Sequence, residues 1–191
     1  MDLARLLEKI LVANELGGNR EAAYRFSDAD GPTGRSGYSF GVCQFDLAHR
    51  REAADILRLC GFSAETIRAL KYQDVPARAY NVQLAAQRDV IDTWDRREIS
   101  AIIDHVRNVA HLRCFRFADD LAVLAACDYS NQFYLDVNGK LATHCALLRK
   151  PVAHADIFDF ILHETAWGKK RPDDVRRRHG NVRRIWDEAT Q

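Results

Sequence analysis

Residues 3–19 read LARLLEKILVANELGGN, and this stretch decides how the fold begins. Leucine and isoleucine recur at positions 3, 6, 7, 10 and 11, with charged side chains on the opposite side, which is the pattern of an amphipathic helix. The paired Gly17 and Gly18 favour left-handed backbone and cost helix stability. The sequence therefore predicts a first helix that ends near Gly17.

Glu15 lies on the apolar face of this predicted helix, four residues after Leu11 and eight after Leu7. A carboxyl group held among apolar side chains keeps its proton more easily, as a general acid must near neutral pH. The alternative is that the helix frays at its end and Glu15 faces water. Glu21 also follows the glycines, but it would lie on an unanchored segment, so Glu15 is the preferred acid.

Residues 20–46 interrupt the helical pattern with Gly, Ser, Thr, Pro and aromatic residues. The sequence DGPTG at 30–34 predicts a turn, and Tyr38-Ser39-Phe40 alternates as a short strand does. We expect a loop or small hairpin here. Asp28 and Asp30 are candidates for the second carboxylate of a glycosidase, although turn chemistry explains either residue taken singly.

Helical periodicity returns after Asp46, which we expect to cap a helix that runs to about Cys60. Ser63 begins a start signal for a short helix, and Pro172 with two following acids opens the last one. No repeat or linker divides the chain. The prediction is a mainly α fold with a small β-hairpin or loop insert near the N-terminus. It forms a single domain over 1–191, with the catalytic Glu and cleft segment in 1–60 and a helical lobe in 61–191.

Composition excludes several other classes of protein. The chain has 191 residues, 47% of them hydrophobic, and a net charge of +1, so it is not a polycation that binds through its overall field. Five cysteines without a C-x-x-C pair predict buried free thiols rather than a disulfide framework or a zinc site. Seven histidines lack ligand spacing, and Pro32 breaks the only calcium-loop likeness. We expect no metal and no cofactor.

Two segments resemble a known family. Residues 14–19 read NELGGN and residues 36–46 read SGYSFGVCQFD. Together they resemble the lysozyme-like superfamily, especially goose-type lysozymes, lytic transglycosylases and phage endolysins. In those families a Glu ends a helix and, after a short excursion, a Gly-x-x-Gly-(Leu/Val)-x-Gln-(aromatic or aliphatic)-Asp segment follows. The matched region covers about the first quarter of the chain, and it implies a lysozyme-like helical domain.

The resemblance also implies roles for single residues. Glu15 would be the catalytic acid. A strict match places the family's second carboxylate near Arg35, so Asp28 or Asp30 takes that position only if the gap in the alignment is adjusted. Asp46 closes the family block, where we expect it to cap the next helix. The residues implied to contact substrate are Tyr38, Ser39, Phe40, Gln44, Asp46 and, in a later aromatic-Asn segment that core packing explains equally well, Tyr129 and Asn131.

These observations predict a peptidoglycan-degrading muramidase of endolysin type that cleaves the β-1,4 MurNAc–GlcNAc bond. A lytic transglycosylase and a chitosanase or chitinase-like glycosidase stay open as enzymatic alternatives. A non-enzymatic alternative is a module that binds an anionic polymer through the basic residues of 169–184. A solvated helical face would explain these basic residues equally without any binding role. We expect a monomer whose partner is the glycan strand and not nucleic acid. Lacking a signal peptide, it would be made in the cytoplasm and reach the wall through a holin-type pore, lysis or injection.

Overall fold

A computed structural model of the chain describes residues 1–28 and 36–191. Over this range the fold is mainly helical, with a small antiparallel sheet near the N-terminus, as predicted. None of the described helices is long and apolar enough to cross a membrane. The α-helices are α1 (Leu3–Glu15), α2 (Arg51–Leu59), α3 (Ala64–Lys71), α4 (Asn81–Ala85), α5 (Arg88–Leu112), α6 (Asp120–Phe133), α7 (Lys140–Leu147), α8 (His154–Glu164), α9 (Ala166–Lys170) and α10 (Pro172–Thr190). Two 3-10 helices cover Arg20–Tyr24 and Ala77–Tyr80, and the strands are β1 (Ser27–Asp28), β2 (Tyr38–Phe40) and β3 (Phe45–Asp46).

The chain forms two compact units. The first comprises Met1–Asn14 and Ile99–Gln191, and the second comprises Glu15–Glu98. The boundaries fall near the end of α1 and within α5. The expectation of one domain over 1–191 stays a prediction, and each unit is described by itself below.

The first unit is built around α6. Every residue from Leu121 to Cys127 in this helix is buried and apolar, so this stretch is apolar around its whole circumference, as a central helix must be. It packs against α8 and α10. The predicted stripe of α1 is buried from Leu6 onward, with Leu7, Ile10 and Leu11 fully enclosed. Burial of this apolar surface is the main force that stabilises the unit.

The second unit contains the sheet, whose strand order is β1-β2-β3 with antiparallel pairing throughout. The aromatic rings of Phe40 and Phe45 are fully buried and lie 5.7 Å apart between centroids. Phe26 extends this cluster, with its ring 5.8 Å from that of Phe40 and 6.0 Å from that of Phe62. Two- and three-residue strands do not make a stable sheet alone, so these rings hold it in place.

Local signals predicted several helix boundaries. Helix α1 ends at Glu15, and both glycines that follow have positive φ, at 59° and 85°. The Ser63 side chain caps α3 by accepting a hydrogen bond from the Thr66 N–H, and Pro172 opens α10. The helix expected from Asp46 instead begins at Arg51, because residues 47–49 form a turn.

The cysteines depart from expectation at one position. Cys43, Cys60, Cys127 and Cys145 are buried free thiols, as predicted, whereas Cys114 is exposed. Cys114 follows the end of α5 with φ of 54°, a left-handed position that usually belongs to glycine. The turn that ends α5 thus carries this thiol to the surface.

Candidate functional site

Glu15 is the last residue of α1 and is half-buried. The chain then turns through the two left-handed glycines to Asn19, whose side chain accepts a hydrogen bond from the Glu21 N–H and caps the 3-10 helix Arg20–Tyr24. Ala23 in this helix accepts a hydrogen bond from the Gly41 N–H at 2.8 Å. The segment after Glu15 is therefore joined by its backbone to the hairpin of β2 and β3.

The 3-10 helix is also anchored through its side chains. Arg20 Nη2 lies 2.6 Å from Asp92 Oδ1, and the Tyr24 hydroxyl donates to the same oxygen at 2.8 Å. Burial and this hydrogen bond to Asp92 raise the pKa of Tyr24 to about 12. Glu21, the less favoured acid, has a side chain 62% exposed and paired with Arg88 at 3.2 Å. Its segment is thus anchored, contrary to expectation, and Glu21 itself faces solvent.

Asp28 lies on β1 opposite Tyr38 of β2 and is exposed. Gln73, just after α3, donates through Nε2 to Asp28 Oδ1 at 3.3 Å and to the Ser36 carbonyl oxygen at 3.1 Å. Gln73 has φ of 58°, a strained conformation for a residue with a side chain. The sheet and Gln73 thus fix the direction of this carboxylate. Asp30, the other candidate, lies outside the described residues, as does the predicted turn at 30–34.

The turn between β2 and β3 is held by a buried acid that the sequence interpretation missed. Asp95 of α5 is 1% exposed and accepts hydrogen bonds from the Val42 N–H at 2.9 Å and the Cys43 N–H at 3.0 Å. Gly41, with φ of 77°, has no room for a side chain, since a Cβ there would lie 2.9 Å from Asp95 Oδ1. The conformation of the turn therefore depends on Asp95 and on the glycine at position 41.

Burial decides the ionisation of Asp95. The two N–H groups favour the carboxylate, but desolvation is larger and raises the pKa of Asp95 to about 6. A signal for this residue was present in the sequence, because Asp95 lies four residues after Ile91 and four before Ile99 on the apolar face of a helix. That is the criterion that singled out Glu15. Asp95 is enclosed, however, so it positions the turn rather than contacting a ligand.

The residues of the matched block divide into exposed and supporting groups. Gln44, with φ of 51°, donates to the Gly41 carbonyl oxygen at 2.9 Å and accepts from the Ser27 hydroxyl at 2.8 Å. Tyr38 and Gln44 are half-buried and present part of their side chains at the surface. Ser39 is buried, and Phe40 has no exposed surface. Phe40 therefore supports the sheet from within and offers a sugar no contact, which corrects its expected role.

Asp46 uses its carboxylate within the fold. Its Oδ1 accepts hydrogen bonds from the backbone N–H groups of Gly37, Ala48 and His49, and its Oδ2 lies 3.2 Å from His49 Nδ1. It thus caps the turn after β3 and not the helix α2. The sequence predicted a capping role for Asp46, but at the start of the following helix rather than at this turn.

Tyr129 and Asn131 belong to the first unit, on α6, and both are half-buried. Tyr129 lies against Phe133 with ring centroids 5.5 Å apart, and burial raises the pKa of its hydroxyl. The first unit also contains a buried ion pair between two helices, in which Arg178 of α10 contacts Asp128 of α6 at 2.7 Å, and Asn14 donates to Asp128 at 3.0 Å. This network fixes α10 and α1 to α6.

The basic segment at 169–184 has acidic partners. Lys169, Lys170 and Arg171 are exposed at the junction of α9 and α10. The arginines farther along α10 pair mainly within the helix, which is the behaviour of a solvated face. These pairs are Arg176–Asp173, Arg177–Asp174, Arg183–Asp187 and Arg184–Glu188. A contact with an anionic envelope stays a prediction.

Across the described part of the chain, no three His, Cys, Asp or Glu side chains cluster so that they could hold a metal ion. Comparison of the chain with protein-family models, with curated proteins and with solved structures finds no match. The candidate functional residues are therefore Glu15, Asp28 and those of the hairpin beside Asp28, all in the second unit.

Proposed function

We propose that this protein is a glycoside hydrolase of peptidoglycan, a muramidase in which Glu15 is the general acid and Asp28 the second carboxylate. A lysozyme-like fold for the chain is part of this proposal. The observation that carries it is the placement of Asp28 on a strand paired with Tyr38, its carboxylate oriented by Gln73, in the same compact unit as Glu15. Both parts of the resembling sequence, 14–19 and 36–46, contribute to this arrangement.

The proposed chemistry assigns one step to each carboxyl group. Glu15 donates its proton to the glycosidic oxygen as the bond to the anomeric carbon breaks, and the leaving sugar departs as an alcohol. Positive charge develops on the ring of the other sugar, and the Asp28 carboxylate stabilises it or takes a proton from the attacking water. Tyr38 and Gln44, which are partly exposed on the neighbouring hairpin, supply hydroxyl and amide groups to hold the glycan.

The second carboxylate favours hydrolysis over transglycosylation. A lytic transglycosylase closes the sugar on its own hydroxyl, so it needs no carboxylate to activate water. Asp28 is exposed and is held by Gln73, and both properties suit a group that contacts water and substrate. A hydrolase releases products with free reducing ends, whereas a transglycosylase releases 1,6-anhydro products, and mass spectrometry separates the two.

The experiment measures soluble fragments released from purified peptidoglycan sacculi. We expect Glu15→Gln to lower the rate by about 10²–10⁴-fold, since amides do not donate a proton in this way. Glu21→Gln is the matched control, because Glu21 is an exposed acid six residues away, and it should keep full activity. Full activity in Glu15→Gln with an unchanged thermal unfolding midpoint would refute the assignment.

Asp28→Asn tests the second role without disturbing the contact that orients it. The asparagine oxygen still accepts from Gln73 Nε2, so the geometry survives while the charge is lost. We expect a loss of about 10²-fold or more in rate at unchanged stability. Activity that stays intact in Asp28→Asn but is lost in Asp30→Asn would transfer the role to Asp30.

A further inference from the structure

A cavity of about 320 Å³ lies in the first unit where α6 and α8 end. Aromatic rings make up much of its wall. Tyr129 and Phe160 are the less exposed of these rings, while Phe133 is 47% and Tyr134 is 65% exposed at the rim. Large rings left exposed beside a cavity are a feature of binding sites rather than of ordinary surface.

The rings at the rim are held in place before any ligand arrives. Tyr134 has φ of 54°, and its N–H donates to the Ser130 carbonyl oxygen at 2.9 Å. Its ring stacks on His105 with centroids 4.6 Å apart, and His105 Nε2 in turn donates to the Leu135 carbonyl oxygen at 2.8 Å. A side chain kept in left-handed backbone is strained, and such strain concentrates at functional sites.

Phe133 is fixed in a similar way. Its ring contacts those of Tyr129 and Trp167, with centroid distances of 5.5 Å and 5.1 Å. A ligand that meets preorganised rings loses less free energy to ordering them. The rim therefore presents aromatic rings at low entropic cost.

The charged side chains of the cavity are mostly acidic. Asp136 and Glu164 line it, against one lysine, Lys140. The helices α6 and α8 end at this cavity and α7 and α9 begin there, so the partial charges of the four helix ends oppose one another.

We propose that this cavity binds an organic ammonium cation, such as a quaternary or alkylated amine. Ring faces attract such cations, and an apolar wall suits their alkyl groups better than it suits a hydrated inorganic ion. The carboxylates of Asp136 and Glu164 balance the positive charge. This inference uses residues of the first unit alone, and it holds whether or not the proposed hydrolase activity does.

The test is an NMR titration of the intact protein with choline as the probe. Choline N-methyl protons over ring faces should shift upfield and saturate. The neutral isostere 3,3-dimethylbutan-1-ol has the same shape without the charge, and we expect it to bind about tenfold more weakly. Equal binding of the two, or no saturable choline binding in the millimolar range, would overturn the proposal.

Two variants locate the site. Glu164→Gln should weaken choline binding about fivefold, while Glu188→Gln, the same change on α10, should leave it unaltered. Tyr134→Leu should weaken it to a similar degree, and circular dichroism verifies that this variant folds. Since Glu164 is exposed, its variant keeps the test valid if Tyr134→Leu does not fold. Choline binding unchanged in Glu164→Gln, or chitotriose that displaces choline at lower concentration, would identify a different kind of site.

Discussion

Asp95→Asn should change the free energy of unfolding in a way that depends strongly on pH. The wild-type carboxyl is buried against the Val42 and Cys43 N–H groups, and its pKa is raised from 3.8 to about 6. Because the folded protein holds this proton more tightly than the unfolded chain, the stabilising contribution of Asp95 is fully present below pH 4. It is lost as the pH rises through 6.

The size of the effect follows from that pKa. Raising the pKa of Asp95 from 3.8 to about 6 corresponds to a loss of about 3 kcal/mol in the free energy of unfolding by pH 7. Asparagine has no charge to desolvate, but its NH₂ group opposes one backbone N–H and leaves it unpaired, at a cost of about 1–3 kcal/mol. Asp95→Asn should therefore be clearly destabilising at pH 4 and nearly neutral or stabilising at pH 7.

Urea unfolding followed by circular dichroism at pH 4, 5, 6 and 7 measures this difference. Other titrating groups affect wild type and variant equally, so they cancel in the comparison. The exposed Asp55→Asn provides the control, and its difference from wild type should change far less over the same range. A cost of Asp95→Asn that grows with pH would mean that the two N–H bonds outweigh desolvation, and it would refute the reasoning.

Three further predictions concern the first unit. Asp128→Ala leaves the 2% exposed Arg178 without its carboxylate and should cost about 3–5 kcal/mol in urea unfolding, most of it recovered when Arg178→Met is added. Gly168→Ala should lower the thermal midpoint more than Gly180→Ala, because a Cβ at 168 would collide with two carbonyl oxygens of α8 whereas position 180 is open. Burial lowers the pKa of His154 to about 4, so its stabilising contribution is present above pH 6.5 and falls by about 3 kcal/mol by pH 4. In His154→Gln, the free energy of unfolding measured by urea should therefore decrease less between pH 6.5 and pH 4 than it does in the wild type.

Elements set by neighbouring residues were predictable from the sequence. The apolar spacing of α1, the glycine pair that ends it, the Ser63 cap and Pro172 all act within one helical turn. The strand at Tyr38-Ser39-Phe40 followed from its alternation. In each case the physical cause is local, so reading a few adjacent residues is enough.

Contacts between distant segments were not predictable in the same way. Asp95 meets the turn at Val42 from more than fifty residues away, and Gln73 reaches Asp28 from forty-five. Asp46 looked like a helix cap, but the chain turns before the helix begins, and the carboxylate caps that turn. The sequence shows that these residues are present, but it does not show which distant group each of them contacts. That information comes only from the folded chain.

Glu15 and Asp95 both lie on the apolar face of a helix in the sequence, and the position of each acid in its helix accounts for the difference in their burial. Asp95 lies well inside a 25-residue helix, where the turn at Val42 and Cys43 closes over its carboxylate. Glu15 is the last residue of a 13-residue helix, because the left-handed glycines that follow prevent a further turn, and it is half-buried. An enclosed carboxyl can only fix structure, whereas one at a helix end keeps a side open to solvent and ligand. An acid on an apolar helical face is therefore a better candidate for chemistry when a helix stop follows it.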